Sequence, residues 1–190
     1  MRDTVIVFAR AARLGAVKRR LARDIGARAA LRFHLGTMHR LARALAADRR
    51  FRTVLAITPD RARFRQPVRL PRIGQGRGDL GQRMHRACAR FPRGRVAIVG
   101  SDIPAARASD LVAAFRALGR ADAAFGPAED GGYWLVALGP RRPARPFAGV
   151  RWSSEHALAD TLGNFHGRRT AFVRLLRDVD SGADLAQLRA

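Results

Sequence analysis

At 190 residues with 47% hydrophobic content, the chain is long enough to bury a sizeable core, and one domain over residues 1–190 is expected. Its lone cysteine, Cys88, excludes an internal disulfide and any cysteine-based metal cluster, and fits a small apolar residue inside a helix. The formal net charge of +22 raises the question of an acidic partner, because residues 1–95 hold 25 Lys+Arg against 5 Asp+Glu while residues 96–190 hold 12 against 10.

The first apolar run, TVIVFA (4–9), is short and β-branched, and reads as a buried strand. A turn containing Gly15 follows. A long helical region from about Arg19 to Ala47 comes next, with an interruption expected near Gly26 or Gly36. TVLAIT (53–58) is a second buried strand, stopped by Pro59-Asp60. Residues 61–78 are loop-like, carrying Pro67, Pro71, Gly74, Gly76 and Gly78, with room for a short strand around VRLPRI. Asp79 is placed to cap a helix reaching about Phe91. RVAIVG (95–100) is a third buried strand, and a helix over 108–118 follows with Ser109 as its expected cap. ADAAFG (121–126) and YWLVAL (133–138) are two more strands. SSEHALADTL (153–162) reads as a serine-capped helix, and RDVDSGADLAQL as a turn into a final short helix. The apolar run at the start is shorter than the ~7–15-residue core of a signal peptide. No stretch approaches the ~18 apolar residues of a membrane span, so a cytoplasmic protein is expected.

Strands alternating with helices imply an α/β fold with a mostly parallel sheet covered on both faces. The arginines are scattered along the predicted helices without a dense tract. Aromatics make up only 7%, too few for base-stacking platforms, which argues against nucleic acid as the main partner. A bias toward arginine codons would decorate any surface in this way.

Ligands of open α/β sheets bind beyond the carboxyl ends of the strands, which directs attention to three segments. RLGAVKRRLA (13–22) holds Lys18, the only lysine beside 36 arginines. A glycine turn at a helix start offers N–H groups to a phosphate, and Lys18 would add a compact ammonium. GSDIP holds Asp102 directly after a strand, and GPAEDGGY holds Glu129 and Asp130 between glycines. If Asp102 and Asp130 converge, they suit a hard divalent ion, Mg²⁺ or Mn²⁺. The five histidines show no metal-like spacing and read as structural or surface groups. Tyr133 and Trp152 are the aromatics best placed to line a substrate pocket.

Together, in order, VIVFARAARLGAVKRRLA, GQGRGDLGQRM, GSDIP, GPAEDGGYWLVAL, FAGVRWSSEHALADTL and DVDSGADL resemble a bacterial domain-of-unknown-function family grouped with GT-A glycosyltransferases. Some of its members carry the name arsenosugar-biosynthesis glycosyltransferase. The resemblance implies a GT-A-like (nucleotide-diphospho-sugar transferase) three-layer domain, related to nucleotidyltransferases such as 2-phospholactate and molybdenum-cofactor guanylyltransferase. It puts phosphate contacts on Gly15, Lys18 and Arg20, and nucleotide contacts on Gly78 and Asp79. Tyr133 falls in an intact Asp-Gly-Gly-Tyr element, and the metal-binding aspartate falls on Asp102. Arg19 stands where the family usually has threonine, and Ala12 where it often has proline. The implied activity is metal-dependent transfer from a nucleoside-diphosphate sugar to a small acceptor, with Glu129 or Asp130 orienting or deprotonating its hydroxyl. The alternatives are nucleotidyl transfer from an NTP with release of pyrophosphate, and a non-catalytic nucleotide- or nucleic-acid-binding protein.

Overall fold

The computed structural model describes residues 2–63, 66 and 68–188. Pro67, expected in the long loop, lies outside them. The elements in chain order are β1 (Asp3–Arg10), α1 (Arg19–Ile25), α2 (Ala27–Ala47), β2 (Phe51–Thr58), β3 (Arg72–Gly74), α3 (Leu80–Ala89), β4 (Val96–Gly100), α4 (Ala108–Ala117), β5 (Ala123–Pro127), β6 (Tyr133–Leu138), α5 (Ala157–Gly163), β7 (Thr170–Phe172) and α6 (Gly182–Gln187). The helical break falls at Gly26, at φ 84°, while Gly36 stays within α2. Ser109 is not a cap but sits inside α4; there the Asp110 carboxylate accepts from the Arg107 N–H at 2.8 Å. Likewise α5 begins at Ala157, four residues later than expected. Ser153 to His156 form turns instead, in which Ser154 Oγ donates to the Arg151 carbonyl.

The seven strands make one sheet in the order β3-β2-β1-β4-β6-β5-β7. Strand β6 is antiparallel to both its neighbours, and the other pairings are parallel. The carboxyl ends of β1, β4, β5 and β7 therefore share one edge with the start of β6.

Alternation along the strands divides the core. Val5, Val7 and Ala9 of β1 pack with Met38, Leu41, Leu45, Leu111 and Phe115 on the face covered by α2 and α4. Ile6 faces the other way, with Met84, Ala87, Cys88, Phe125 and Phe165 on the side of α3 and α5. Cys88 is the small apolar core residue expected, and burial pushes its thiol pKa up to about 12. No helix among the described residues is long and apolar enough to cross a membrane.

Candidate functional site

Beyond β1 the chain passes through Gly15 at φ 73°, then through Lys18 itself in the left-handed region at φ 46°, ψ 52°. That conformation is uncommon and costly for a residue with a Cβ. The Lys18 side chain reaches back over the sheet edge. Its Nζ donates to Asp102 Oδ2 at 3.0 Å and to Asp180 Oδ1 at 2.7 Å. The lysine side chain is only 5% exposed, and the two carboxylates are 41% and 44% exposed. Burial pulls the ammonium's pKa down, but Asp102 and Asp180 outweigh it and hold the value above that of an ordinary lysine. Lys18 is a permanent cation at neutral pH.

Asp102 follows β4, while Asp178 and Asp180 lie on the segment after β7. One oxygen from each comes within 4.8 Å of the others. Three hard carboxylate donors at this spacing fit an oxygen-preferring divalent cation. Asp178 shows how unfavourable burial beside other carboxylates is for a charged group. Burial, then the neighbouring Asp180, pushes its pKa up to about 6; Lys18 partly offsets this, and Asp102 and Asp130 add to it.

Between the ordinary aspartate value and about 6, the folded form of Asp178 holds more proton than the unfolded form, so stability falls as pH rises through that window. Asp178→Asn removes this penalty. Because the group is only half-buried, screening limits the gain to about 1 kcal/mol, or a melting temperature ~2–4 °C above wild type near neutral pH. Thermal melts at about pH 7.5 and about pH 3 test this, since the difference vanishes below the ordinary aspartate range. The same variant should bind Mn²⁺ more weakly, a stability gain at the cost of a ligand.

Two clefts meet at Asp102, which lines both. The first, about 390 Å³, is walled by Arg10, Lys18, Arg19, Arg20, His34 and Asp180. His34 is buried, its Nε2 lies 3.3 Å from the Arg10 carbonyl, and burial lowers its pKa, so it is a neutral wall. The second, about 340 Å³, is bounded by Asp130, Tyr133, Trp152, Ser153 and Asp178. Among the described non-glycine residues, Lys18 and Ser153 alone have positive φ, and one lines each cleft.

Of the residues singled out from sequence, Lys18, Arg20 and Asp102 come together at the first cleft, with Gly15 supplying the turn before it. Asp130 and Tyr133 come together at the second. Asp130, expected to share an ion with Asp102, is not a member of the three-carboxylate group. Its Oδ1 accepts from the Gly132 N–H at 2.9 Å, closing its own loop. Gly131 at φ 82° allows that loop, and a Cβ there would lie 2.2 Å from the Glu155 backbone. Glu129 points elsewhere: Arg177 holds it at 2.5–2.6 Å, beside a separate groove that includes Val179 and Asp184. The Tyr133 hydroxyl accepts from Thr161 Oγ1 at 3.3 Å, and burial raises its pKa.

Gly78 and Asp79 do not line the Lys18 cleft. Asp79 caps α3, its carboxylate accepting from the Gln82 N–H while Gln82 Oε1 accepts from the Asp79 N–H. Gly81 of the same motif is needed for packing, since a Cβ would lie 2.6 Å from the Phe147 carbonyl oxygen and 2.8 Å from the Trp152 ring.

Two site features escape a reading of the sequence. Asp178 and Asp180 belong to a quoted motif, but nothing local links them to Asp102. Gln75 is 2% exposed and donates to the carbonyls of Ala9 and Ala56, at 3.0 Å each, while accepting from Arg83. It ties the ends of β1 and β2 to α3, and its signal is a lone glutamine between glycines at a strand end.

The fold is shared with known structures. A candidate nucleotide-diphospho-sugar transferase from Desulfovibrio desulfuricans G20 superposes with a TM-score of 0.92 at 26% identity, over 99% of this chain and 87% of that one. The Rv0371c protein of Mycobacterium tuberculosis H37Rv, in complex with manganese, has a TM-score of 0.57 at 16% identity, with 99% and 98% of the two chains covered. CMP:2-keto-3-deoxy-manno-octonic acid synthetase complexed with CTP has a TM-score of 0.61 at 11% identity, covering 100% and 97%. At those identities the last two establish the fold alone. No curated protein matches the chain in sequence. Residues 37–154, which carry Asp79, Asp102, Asp130 and Trp152, match the family described as "Uncharacterized protein conserved in bacteria (DUF2064)", and the chain belongs to that family, with the fold of the nucleotide-diphospho-sugar transferases.

Proposed function

We propose that this chain is a metal-dependent transferase of a nucleotide-activated donor, and that it transfers the glycosyl group of a nucleoside-diphosphate sugar. The observation that carries this reading is the Lys18–Asp102–Asp178–Asp180 group, seated where a basic cleft meets an aromatic one. Donor phosphates fit the basic cleft, where Lys18 supplies a point charge and Arg10, Arg19 and Arg20 supply the surrounding positive field. Asp102, Asp178 and Asp180 would hold a divalent ion, which when bound neutralises charge on the departing diphosphate. Asp130, exposed in the second cleft, is placed to orient an acceptor hydroxyl and take its proton.

Nucleotidyl transfer would use the same phosphate and metal groups, and the CTP complex of a protein with this fold supports it as the second reading. Product analysis separates the two. The purified chain is incubated with Mn²⁺ and either a panel of nucleoside-diphosphate sugars or the four NTPs. Metal-dependent release of nucleoside diphosphate is expected. Pyrophosphate release from an NTP would establish nucleotidyl transfer instead. Thermal stabilisation by single-stranded nucleic acid, with none by nucleotides plus metal, would leave a non-catalytic binding protein.

A further inference from the structure

The two clefts differ in charge far more than their shared edge requires. Arg10, Lys18, Arg19 and Arg20 line the first. The second is lined by Asp102, Asp130 and Asp178, and by no lysine, arginine or histidine among the described residues. This occurs in a chain with 36 arginines and a net charge of +22. Nearby cations are also committed elsewhere. Arg177 is held by Glu129, Arg174 by Asp110 at 2.8–2.9 Å, and Arg151 by both oxygens of Asp160 at 2.8–2.9 Å.

The other wall is apolar. Trp152 and Tyr133 meet edge to face with ring centroids 6.3 Å apart, and Leu80, Met84 and Ile103 complete the surface. A half-buried aromatic wall beside carboxylates matches a sugar-like ring, whose C–H face packs on the aromatic side chains while hydroxyls or an amine meet the acids. A phosphate or carboxylate in this cleft would face Asp130 and the three-carboxylate group without a partner. A divalent ion and Lys18 together cancel the charge of those three carboxylates, and Asp130 still remains.

We propose that the second cleft takes an uncharged or cationic polyhydroxy acceptor, and that it excludes acceptors bearing phosphate or carboxylate. The inference rests on reading the basic cleft as the donor side. In the reaction, an acceptor hydroxyl oxygen bonds to the anomeric carbon of the donor. The bond from that carbon to the diphosphate oxygen breaks, and its electron pair leaves with the nucleoside diphosphate. The hydroxyl proton passes to Asp130 and then to water. Nucleotidyl transfer onto a phosphate-bearing acceptor would instead require an anion in this cleft.

The test is saturation-transfer NMR with four matched ligands in the presence of Mg²⁺: methyl β-glucoside, glucosamine, glucose 6-phosphate and glucuronate. The first two are expected to bind about tenfold or more tightly than the two anions. Trp152→Ala should abolish their binding, while Trp152→Phe, which keeps an aromatic face, should retain most of it and report that the fold is intact. Asp130→Asn should bring glucosamine down to the level of the glucoside. Binding of the anionic pair as tightly as the others, or binding of none of the four, overturns the proposal. Nucleotide binding is read on the same sample through selective labelling of Lys18, the one lysine. Loss of nucleotide binding with the sugar selectivity intact would overturn the donor reading, and loss of the selectivity with nucleotide binding intact would overturn this proposal, so the two failures are distinguishable.

Discussion

Asp102→Asn should abolish metal-dependent donor binding. Asp102 supplies one of three carboxylates within 4.8 Å, and it alone stands at the junction of both clefts with a direct bond to Lys18. An amide keeps the shape and one oxygen but removes the charge that a hard divalent ion requires. The expected loss in nucleotide affinity with Mn²⁺ present is on the order of 100-fold or more. Stability should change little, because Asp102 is 41% exposed and Asp180 still pairs with Lys18. Screening limits that contact to about 1 kcal/mol. Calorimetric titration of nucleotide with and without Mn²⁺, beside a thermal melt, checks both parts. Full metal dependence in the variant would transfer the ligand role to Asp178 and Asp180.

Lys18 should separate two functions of one side chain. Lys18→Arg keeps the charge, but a planar guanidinium cannot occupy a site where a compact ammonium, 5% exposed, sits between two carboxylates at 2.7 and 3.0 Å. Donor affinity should fall about tenfold while the fold survives. Lys18→Met removes the charge. It leaves Asp102, Asp178 and Asp180 without their internal cation and should cost about 1–2 kcal/mol, since the aspartates are partly solvated. The raised pKa of Lys18 means that this ion pair contributes throughout the neutral range; it is lost only as pH climbs past the ordinary lysine value of 10.5 and through the higher folded value. The three carboxylates should also bind Mn²⁺ more tightly without nucleotide in Lys18→Met than in wild type, because the ion no longer competes with an ammonium. Manganese titration followed by electron paramagnetic resonance reads this directly. Equal affinity in both proteins would show that Lys18 does not guard the site.

Asp178→Asn, by contrast, should strengthen the fold as it weakens metal binding. Those three outcomes together would mark Asp102, Lys18 and Asp178 as residues kept for chemistry rather than packing.

Much of this protein is legible in its sequence, because the relevant signals are local. Short β-branched runs separated by helical stretches specify the strands of an α/β sheet. Asp102 can be placed because it directly follows a buried strand, and Lys18 stands out as the one lysine beside 36 arginines. Only the tertiary structure could bring Asp180 to Lys18 across 162 residues, or Asp102 to Lys18 across 84. Strand β7 is three residues long and announces little by composition. Yet its parallel pairing with β5 carries Asp178 and Asp180 to the same sheet edge as Asp102. The same loop takes Glu129 out of the site, because Arg177 on that return captures it. Gly78, expected to contact the nucleotide, stands beside the cap of α3, where a Cβ would lie 2.0 Å from the Gln82 side-chain oxygen. Local pattern determined the elements and the lone ammonium. Non-local strand pairing decided which carboxylates surround it, and which cleft was left without a cation.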